Sequence, residues 1–238
     1  MLLSIIIPVY NNEKNLTKLL NNLKPQTIFE LYKDEIEIIV VDDGSKEIEK
    51  LRNLEIKGLK LQKYFIDHSG AAKARNFGWQ KSTGEYIFFC DSDVIFLKNN
   101  ALEKMLNVLE NNLDKAYSYS SFKFGWKTFK LFPFDQEKLK QNNYISTMSL
   151  IRRRALEKLS FPNIPWDESL KKFQDWDLWL ALLAHHETGI FLPELLWQSK
   201  SHGTMSSWLP KFFYRLTWLK KVKEYELAKK IIKQKHHL

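Results

Sequence analysis

The sequence predicts an α/β fold, a mostly parallel sheet flanked by helices and followed by a C-terminal amphipathic helix. Three observations predict it. Short, nearly continuous apolar runs rich in Ile, Val and Phe occur at 4–10, 36–41 and 85–89, as expected of strands covered on both faces. Between the first two runs, Leu16, Leu19, Leu20 and Leu23 stand at i, i+3, i+4 and i+7, one apolar helix face. Each run ends in a polar cluster: Tyr10-Asn11-Asn12, Asp42-Asp43-Gly44-Ser45 and Asp91-Ser92-Asp93. The carboxyl ends of strands are where open α/β sheets hold their ligands.

The elements follow in order. Asn11 or Asn12 is placed to cap the first helix, and Pro25 ends it. Strand, helix and strand in sequence imply a right-handed parallel crossover, which brings the loops 8–11 and 42–45 side by side. A polar helical stretch over 46–53 precedes a third strand over 59–66. Asp67-His68-Ser69-Gly70 then opens a helix whose Ala71, Ala74 and Gly78 allow close packing on the sheet, and Gly84 closes it. The N-terminus of that helix suits an anion. Residues 100–111 form a helix with Leu102, Met105, Leu106 and Leu109 on one side. The aromatic, basic stretch 116–143 reads as irregular. A strand is expected over 144–151, a short helix over 152–159, and a loop over 161–166 with Pro162 and Pro165. A helix follows over 173–183 with Asp175 and Asp177 in its first turn. A short strand over 189–192 precedes a polar loop over 197–207 that carries Lys200 and His202.

Composition narrows the class. The 238 residues hold eight Trp and sixteen Phe, which excludes a disordered chain. The one cysteine, Cys90, forms no disulfide framework and fits a reducing, cytoplasmic setting. The apolar opening is interrupted by Pro8, far short of a membrane span. Net charge is +9, but residues 209–238 alone carry nine Lys/Arg against two Glu, so the body is nearly neutral. That argues against nucleic acid as a partner. There is no G-x-G-x-x-G after the first strand and no P-loop.

Asp91 and Asp93 are the most informative pair. In an extended chain, residues i and i+2 face the same side, and two carboxylates that close call for a cation or strong donors. Oxygen ligands of this kind suit Mg²⁺ or Mn²⁺, which bring substrate phosphates with them. Taken alone, the pair more often describes a loop with two solvated aspartates.

The combined pattern resembles family 2 glycosyltransferases of the GT-A fold, whose sheet is Rossmann-like. The resemblance rests on Ile6-Ile7-Pro8-Val9-Tyr10-Asn11, Val40-Val41-Asp42-Asp43-Gly44-Ser45, Ala74-Arg75-Asn76-Phe77-Gly78, Asp91-Ser92-Asp93 and Gln174-Asp175-Trp176-Asp177-Leu178-Trp179, in this order. It spans about 3–207 and is of the type that builds bacterial surface polysaccharides. It implies an inverting, metal-dependent transfer from a nucleoside diphosphate sugar, a UDP-sugar by preference, to a hydroxyl of a saccharide or lipid-linked saccharide. It implies that Pro8, Val9 and Tyr10 line the base pocket and that Asp43 accepts a hydrogen bond from the base. It places Asp91 by the ribose or the metal, Asp93 on Mn²⁺ or Mg²⁺, and Asp175 as general base. Lys73 and Arg75 become candidates for the diphosphate. His202, with Lys200 in place of the family's Arg, becomes a candidate third metal ligand. Two departures stand out: Gln174 where the family commonly has Glu, and His68 where it often has Asn.

Plainer readings compete at several positions. Tyr10 suits a core as well as a base. Asp42 suits its own turn, and Asp177 a structural role. His185 and His186 suit a helix C-terminus, and Trp176 and Trp179 suit the core. Residues 1–207 read as one transferase domain, nucleotide-binding over about 1–98 and acceptor-binding over 99–207. Residues 208–238 read as a basic helix. The stretch 209–235 either packs on the domain or lies on an anionic membrane face, at the inner side of the plasma membrane. Two other functions remain in view, a sugar-nucleotide pyrophosphorylase and a nucleotide-sugar-binding protein without catalysis. The first would want a Gly-rich loop after strand one, where this chain has Pro8-Val9-Tyr10-Asn11.

Overall fold

The computed structural model describes residues 1–159, 164–199 and 220–238, Lys221 by its backbone only. The elements run β1 (Leu3–Val9), α1 (Glu13–Leu23), α2 (Ile28–Leu31), β2 (Ile36–Asp43), α3 (Ile48–Arg52), β3 (Leu61–Ile66), α4 (Ala71–Lys81), β4 (Tyr86–Phe89), β5 (Val94–Phe96) and α5 (Ala101–Glu110). They continue with β6 (Tyr117–Phe124), β7 (Lys127–Phe129), α6 (Gln136–Gln141), β8 (Leu150–Arg152), α7 (Arg153–Glu157), α8 (Gln174–Ala184), β9 (Gly189–Ser199) and α9 (Lys220–Lys235). The strands form one mixed sheet in the order β3-β2-β1-β4-β8-β6-β9-β5, with β7 paired to β6.

Strands β1 to β4 are mutually parallel, with Ile6 opposite both Ile39 and Phe89. Side chains alternate across the sheet, so each apolar run feeds two cores. Ile5, Ile7, Ile38, Val40 and Phe88 pack with the leucines of α1 and the apolar side of α5. Ile6, Ile39, Val41, Ile87 and Phe89 pack under α4 and α8. The four leucines read as the face of the first helix are all fully buried. Glycine lets α4 sit close to the sheet, since a Cβ on Gly78 would lie 2.4 Å from Ile6 Cγ2.

Four spans differ from the sequence reading. The stretch 116–143 is not irregular: it holds the hairpin β6–β7 and helix α6. Strand β6 carries serines at buried positions, and these hide its apolar pattern. The buried Ser118 hydroxyl is satisfied by donating to the Met105 carbonyl, 2.9 Å away on α5. Strand β9 runs on past Leu192 because its register on β6 jumps from Ser120↔Leu192 to Ser121↔Leu195, so Pro193 and Glu194 fall in the irregularity. Bulges are where a strand tolerates proline. Most of 144–151 is loop rather than strand, folded by local bonds such as Met148 N–H to Ser146 Oγ at 3.1 Å. Asn12 occupies the N-cap of α1 without capping it: its Oδ1 accepts from the Asn15 side-chain amide at 2.6 Å, and its own amide donates to Ser92 Oγ at 2.8 Å.

The C-terminal helix α9 packs on the body. Val222 and Ile232 are fully buried, and Tyr225 meets Phe173 edge-on at 5.0 Å. Its other side is basic and exposes Leu227 and Ile231. Residues 209–219 of the expected tail lie outside the described residues. Among the described residues no helix is long and apolar enough to cross a membrane.

Candidate active site at the carboxyl edge of the parallel strands

Because β1 to β4 are parallel, their carboxyl ends lie along one edge. Loops 8–11 and 42–45 meet there as expected. Asn11 N–H donates to Ser45 Oγ at 2.8 Å, and Asn11 Oδ1 accepts from Lys46 N–H at 2.9 Å. The Asp42 carboxylate accepts from Ser45 N–H, the turn-shaping role read for it.

Asp43 organises the next loop. Its two carboxylate oxygens accept Ser69 N–H at 2.8 Å and Gly70 N–H at 2.9 Å. His68 Nδ1 lies 2.9 Å from Asp43 Oδ2, and the His68 ring stacks on Tyr10 with centroids 4.0 Å apart and 17° between planes. The sequence left His68 without a role; here it links Tyr10 to Asp43. Tyr10 is 45% exposed, so it is no core residue. Val9 is buried in the core beneath it, and Pro8 is partly exposed. Gly44 has φ +77, and a Cβ there would lie 2.8 Å from His68 N, so the turn needs glycine. Gly44→Ala is expected to push the 67–70 loop off Asp43. The resulting loss of stability, about 1 kcal/mol or more, is measurable by urea titration; an unchanged midpoint would refute this account of the turn.

Asp91-Ser92-Asp93 is a turn rather than a continuation of β4, with Val94 N–H bonded back to Asp91 O at 3.3 Å. The extended-chain argument for convergence therefore does not apply, and each carboxylate has a partner from another element. Asp91 Oδ1 accepts from Arg75 Nη2 at 2.7 Å. Asp93 Oδ2 accepts from Ser199 Oγ at 2.8 Å. Both carboxylates also act on buried Cys90, whose thiol is pushed well up, first by burial and then by these two charges. His202 and Lys200 lie outside the described residues.

Arg75 is nine-tenths buried. Besides Asp91, its guanidinium reaches Gln174 Oε1 at 3.3 Å and lies over the Trp166 ring at 4.7 Å. The Gln174 departure thus puts a neutral amide where a carboxylate would have been a second anion on Arg75. Lys73 is exposed on the first turn of α4. Asn76 grips the Trp166 backbone from both sides, accepting its N–H at 3.0 Å and donating to its carbonyl at 2.8 Å. Neither Trp166 nor the Asn76 clamp was singled out from the sequence, since a side chain bonding backbone ninety residues away leaves no local signal.

Asp175 opens α8, two residues after Phe173 in a left-handed conformation. Burial raises its carboxyl above the ordinary aspartate range. The Trp176 N–H, the Asn143 side chain and the Arg75 charge pull the other way. Asn143 is a further residue the sequence did not reveal. Asp177 is buried and paired with the C-terminal helix, the structural role read for it. Trp176 and Trp179 are fully buried in the core, while His185 and His186 are exposed at the C-terminus of α8.

Among the described residues, no three His, Cys, Asp or Glu side chains gather as a metal cage. Mg²⁺-type sites in phosphate chemistry use one or two carboxylates and fill the shell with phosphate oxygens and water. The donor set of Asp91 and Asp93 on one turn is of that kind, and fits a cation that arrives with a diphosphate.

The arrangement can therefore hold an aromatic ring and an anion at one end and remove a proton at the other. A model of the family described as glycosyl transferase family 2 matches residues 4–160. An uncharacterized glycosyltransferase of Haemophilus influenzae is 36% identical over 177 residues, covering 70% of this chain and 68% of that protein. Among solved structures, Staphylococcus aureus TarS 1–349 in complex with UDP-GlcNAc superposes with a TM-score of 0.69 at 22% identity, over 91% of this chain and 64% of that one. A mannosyltransferase from Pyrobaculum calidifontis in complex with GDP-Man and Mn²⁺ gives 0.65 at 17%, over 95% and 62%. At these two identities the likeness is one of fold. The chain spans less than two thirds of either structure.

Proposed function

We propose that this chain, which belongs to glycosyl transferase family 2, transfers a sugar with inversion from a UDP-sugar to a saccharide hydroxyl, using Asp175 as general base. The observation that carries this reading is a carboxyl of raised proton affinity, Asp175, connected through Gln174 and Arg75 to the Asp91 turn. In the reaction, the acceptor oxygen forms a bond to the anomeric carbon while the bond from that carbon to the diphosphate oxygen breaks. The acceptor proton passes to Asp175, and the electron pair leaves with the nucleoside diphosphate. A base within reach of the attacking hydroxyl accelerates such a step, and buried positive charge at Arg75 favours the anion that departs.

Tyr10, exposed beside the backbone of Pro8 and Val9, offers a stacking face to the base, and Asp43 shapes the wall beside it. Lys73, exposed on the first turn of α4, suits the diphosphate. Asp93, with Asp91 and with His202 beyond the described segment, would hold Mn²⁺ or Mg²⁺. When bound, the cation neutralises charge on the leaving diphosphate. The UDP preference is supported by TarS, solved with UDP-GlcNAc, and the metal by the Mn²⁺ complex of the mannosyltransferase similar in fold. The division into a nucleotide half over 1–98 and an acceptor half over 99–207 follows the same logic. On α9, exposed Leu227 and Ile231 among lysines support a peripheral contact with an anionic membrane, where a lipid-linked acceptor would be found.

The test is thermal stability against a panel of nucleotide sugars, with and without Mn²⁺. A ligand bound only by the folded state raises stability according to its concentration over Kd. UDP-GlcNAc or another UDP-sugar should raise Tm only with Mn²⁺, and Asp93→Ala should abolish that increment. No shift with any nucleotide sugar at millimolar concentration would overturn the reading. A shift indifferent to Mn²⁺ and to Asp93→Ala would remove the metal from it.

A further inference from the structure

We propose that the C-terminal helix α9 is a strap that positions the catalytic base, with Lys235 and His236 holding Asp177 and, through it, the first turn of α8 that carries Asp175. The proposal rests on the reading of Asp175 as the base.

Three chain segments near Asp175 carry contacts to α9: the first turn of α8, the loop leading into it, and the stretch at 142–143. Asp177 is 5% exposed, and both of its oxygens are taken: Oδ2 by Lys235 Nζ at 2.8 Å and Oδ1 by His236 Nε2 at 2.7 Å. Lys235 Nζ also lies 2.7 Å from Asp167 Oδ2, which ties down the loop leading into α8. Tyr225 packs on Phe173, the residue that starts the helix and whose carbonyl accepts Asp177 N–H at 2.9 Å. Lys229 donates to Asn142 Oδ1 at 2.6 Å, and the next residue, Asn143, hydrogen-bonds Asp175. Buried Val222 and Ile232 fix α9 against the body.

The electrostatics run the same way. The groups acting on Asp175 are Arg75 from α4 and Asn143 from the loop before β8, and Asp177 stands two residues further along the same helix turn. A like charge two residues away disfavours ionisation. Lys235 compensates the charge of Asp177, so the base does not stand beside a bare carboxylate. Burial works against the Lys235 ammonium, but its hydrogen bonds to Asp167 and Asp177 outweigh it and keep this lysine more basic than usual.

The experiment follows the Asp175 carboxyl by carbon NMR in full-length, aspartate-labelled protein without substrate, assigned with Asp175→Asn. In the double variant Lys235→Gln/His236→Gln, Asp175 should titrate at higher pH than in wild type. Adding Asp177→Asn should bring it back. The acid limb of UDP release from UDP-GlcNAc with Mn²⁺ should move with the NMR midpoint, with KM for the donor unchanged. A merely structural helix would lower Tm and leave the Asp175 midpoint in place, and that result overturns the proposal. If the double variant does not fold, single Asp177→Asn decides: Asp175 must then titrate lower, and an unmoved midpoint defeats the strap. Wild-type turnover in Asp175→Asn would instead defeat the base assignment, while the NMR midpoints still decide whether α9 governs this carboxyl.

Discussion

Asp175→Asn is expected to lower sugar transfer by about 10²–10⁴-fold, the usual contribution of a general base, and to make the protein more stable at neutral pH. The two effects share one cause. Burial raises the Asp175 carboxyl above its unfolded value, so the folded state is penalised for carrying the charge. The penalty is absent below the ordinary aspartate pKa of about 4. It grows as pH rises from there through the folded value, and is full above it. Asparagine removes the charge and keeps an oxygen for the Trp176 N–H, now bonded at 2.9 Å. Tm of the variant should therefore exceed wild type at pH 7 and match it at pH 3. Wild-type activity should fall with acid along a limb above the usual aspartate range, since only the ionised carboxylate accepts a proton. A variant less stable than wild type at pH 7, with activity retained, would sink both halves of the argument.

The second large effect is on stability. Trp179→Ala is expected to cost about 3–5 kcal/mol, the range for removing a buried tryptophan. Trp179 is fully buried on α8, with its ring 4.7 Å from that of Tyr117 on β6. Its indole N–H donates to the Ile145 carbonyl at 3.0 Å, so truncation opens a cavity and also strands a buried acceptor. Domains of this size are stable by only 5–15 kcal/mol or so, which makes this a large fraction of the total. Trp179→Phe, which refills most of the space, should cost distinctly less. Urea unfolding measures both, and a loss under about 1 kcal/mol for the alanine variant would show that α8 is not fixed to the sheet through this residue.

The membership in glycosyl transferase family 2 and the GT-A fold were legible because their signals are local. Apolar runs marked β1, β2 and β4, and the leucine spacing marked α1. The polar clusters at 10–12, 42–45 and 91–93 fell at strand ends. Asp175 in the first turn of α8 was legible in the same way. Less local features were hidden. Strand β6 looked irregular because Ser118 and Ser120 occupy buried positions, acceptable only where Ser118 meets the Met105 carbonyl of α5. The length of β9 was hidden by Pro193, which only an irregular pairing with β6 accommodates.

At the site, residue types and order by themselves determined that carboxylates and an aromatic stand at the ends of parallel strands and that Asp175 stands in the first turn of a helix. The tertiary structure alone decided their partners. Asp43 holds the Ser69–Gly70 backbone, His68 covers Tyr10, and Arg75 joins Asp91 to Gln174 over Trp166. It also decided that the described part of the basic tail docks beside Asp175, through Asp177. The physical reason is range. Backbone periodicity and turn chemistry act over a few residues and can be read along the chain. A buried charge takes whatever partner lies within about 3 Å, and for Asp177 that partner is fifty-eight residues away.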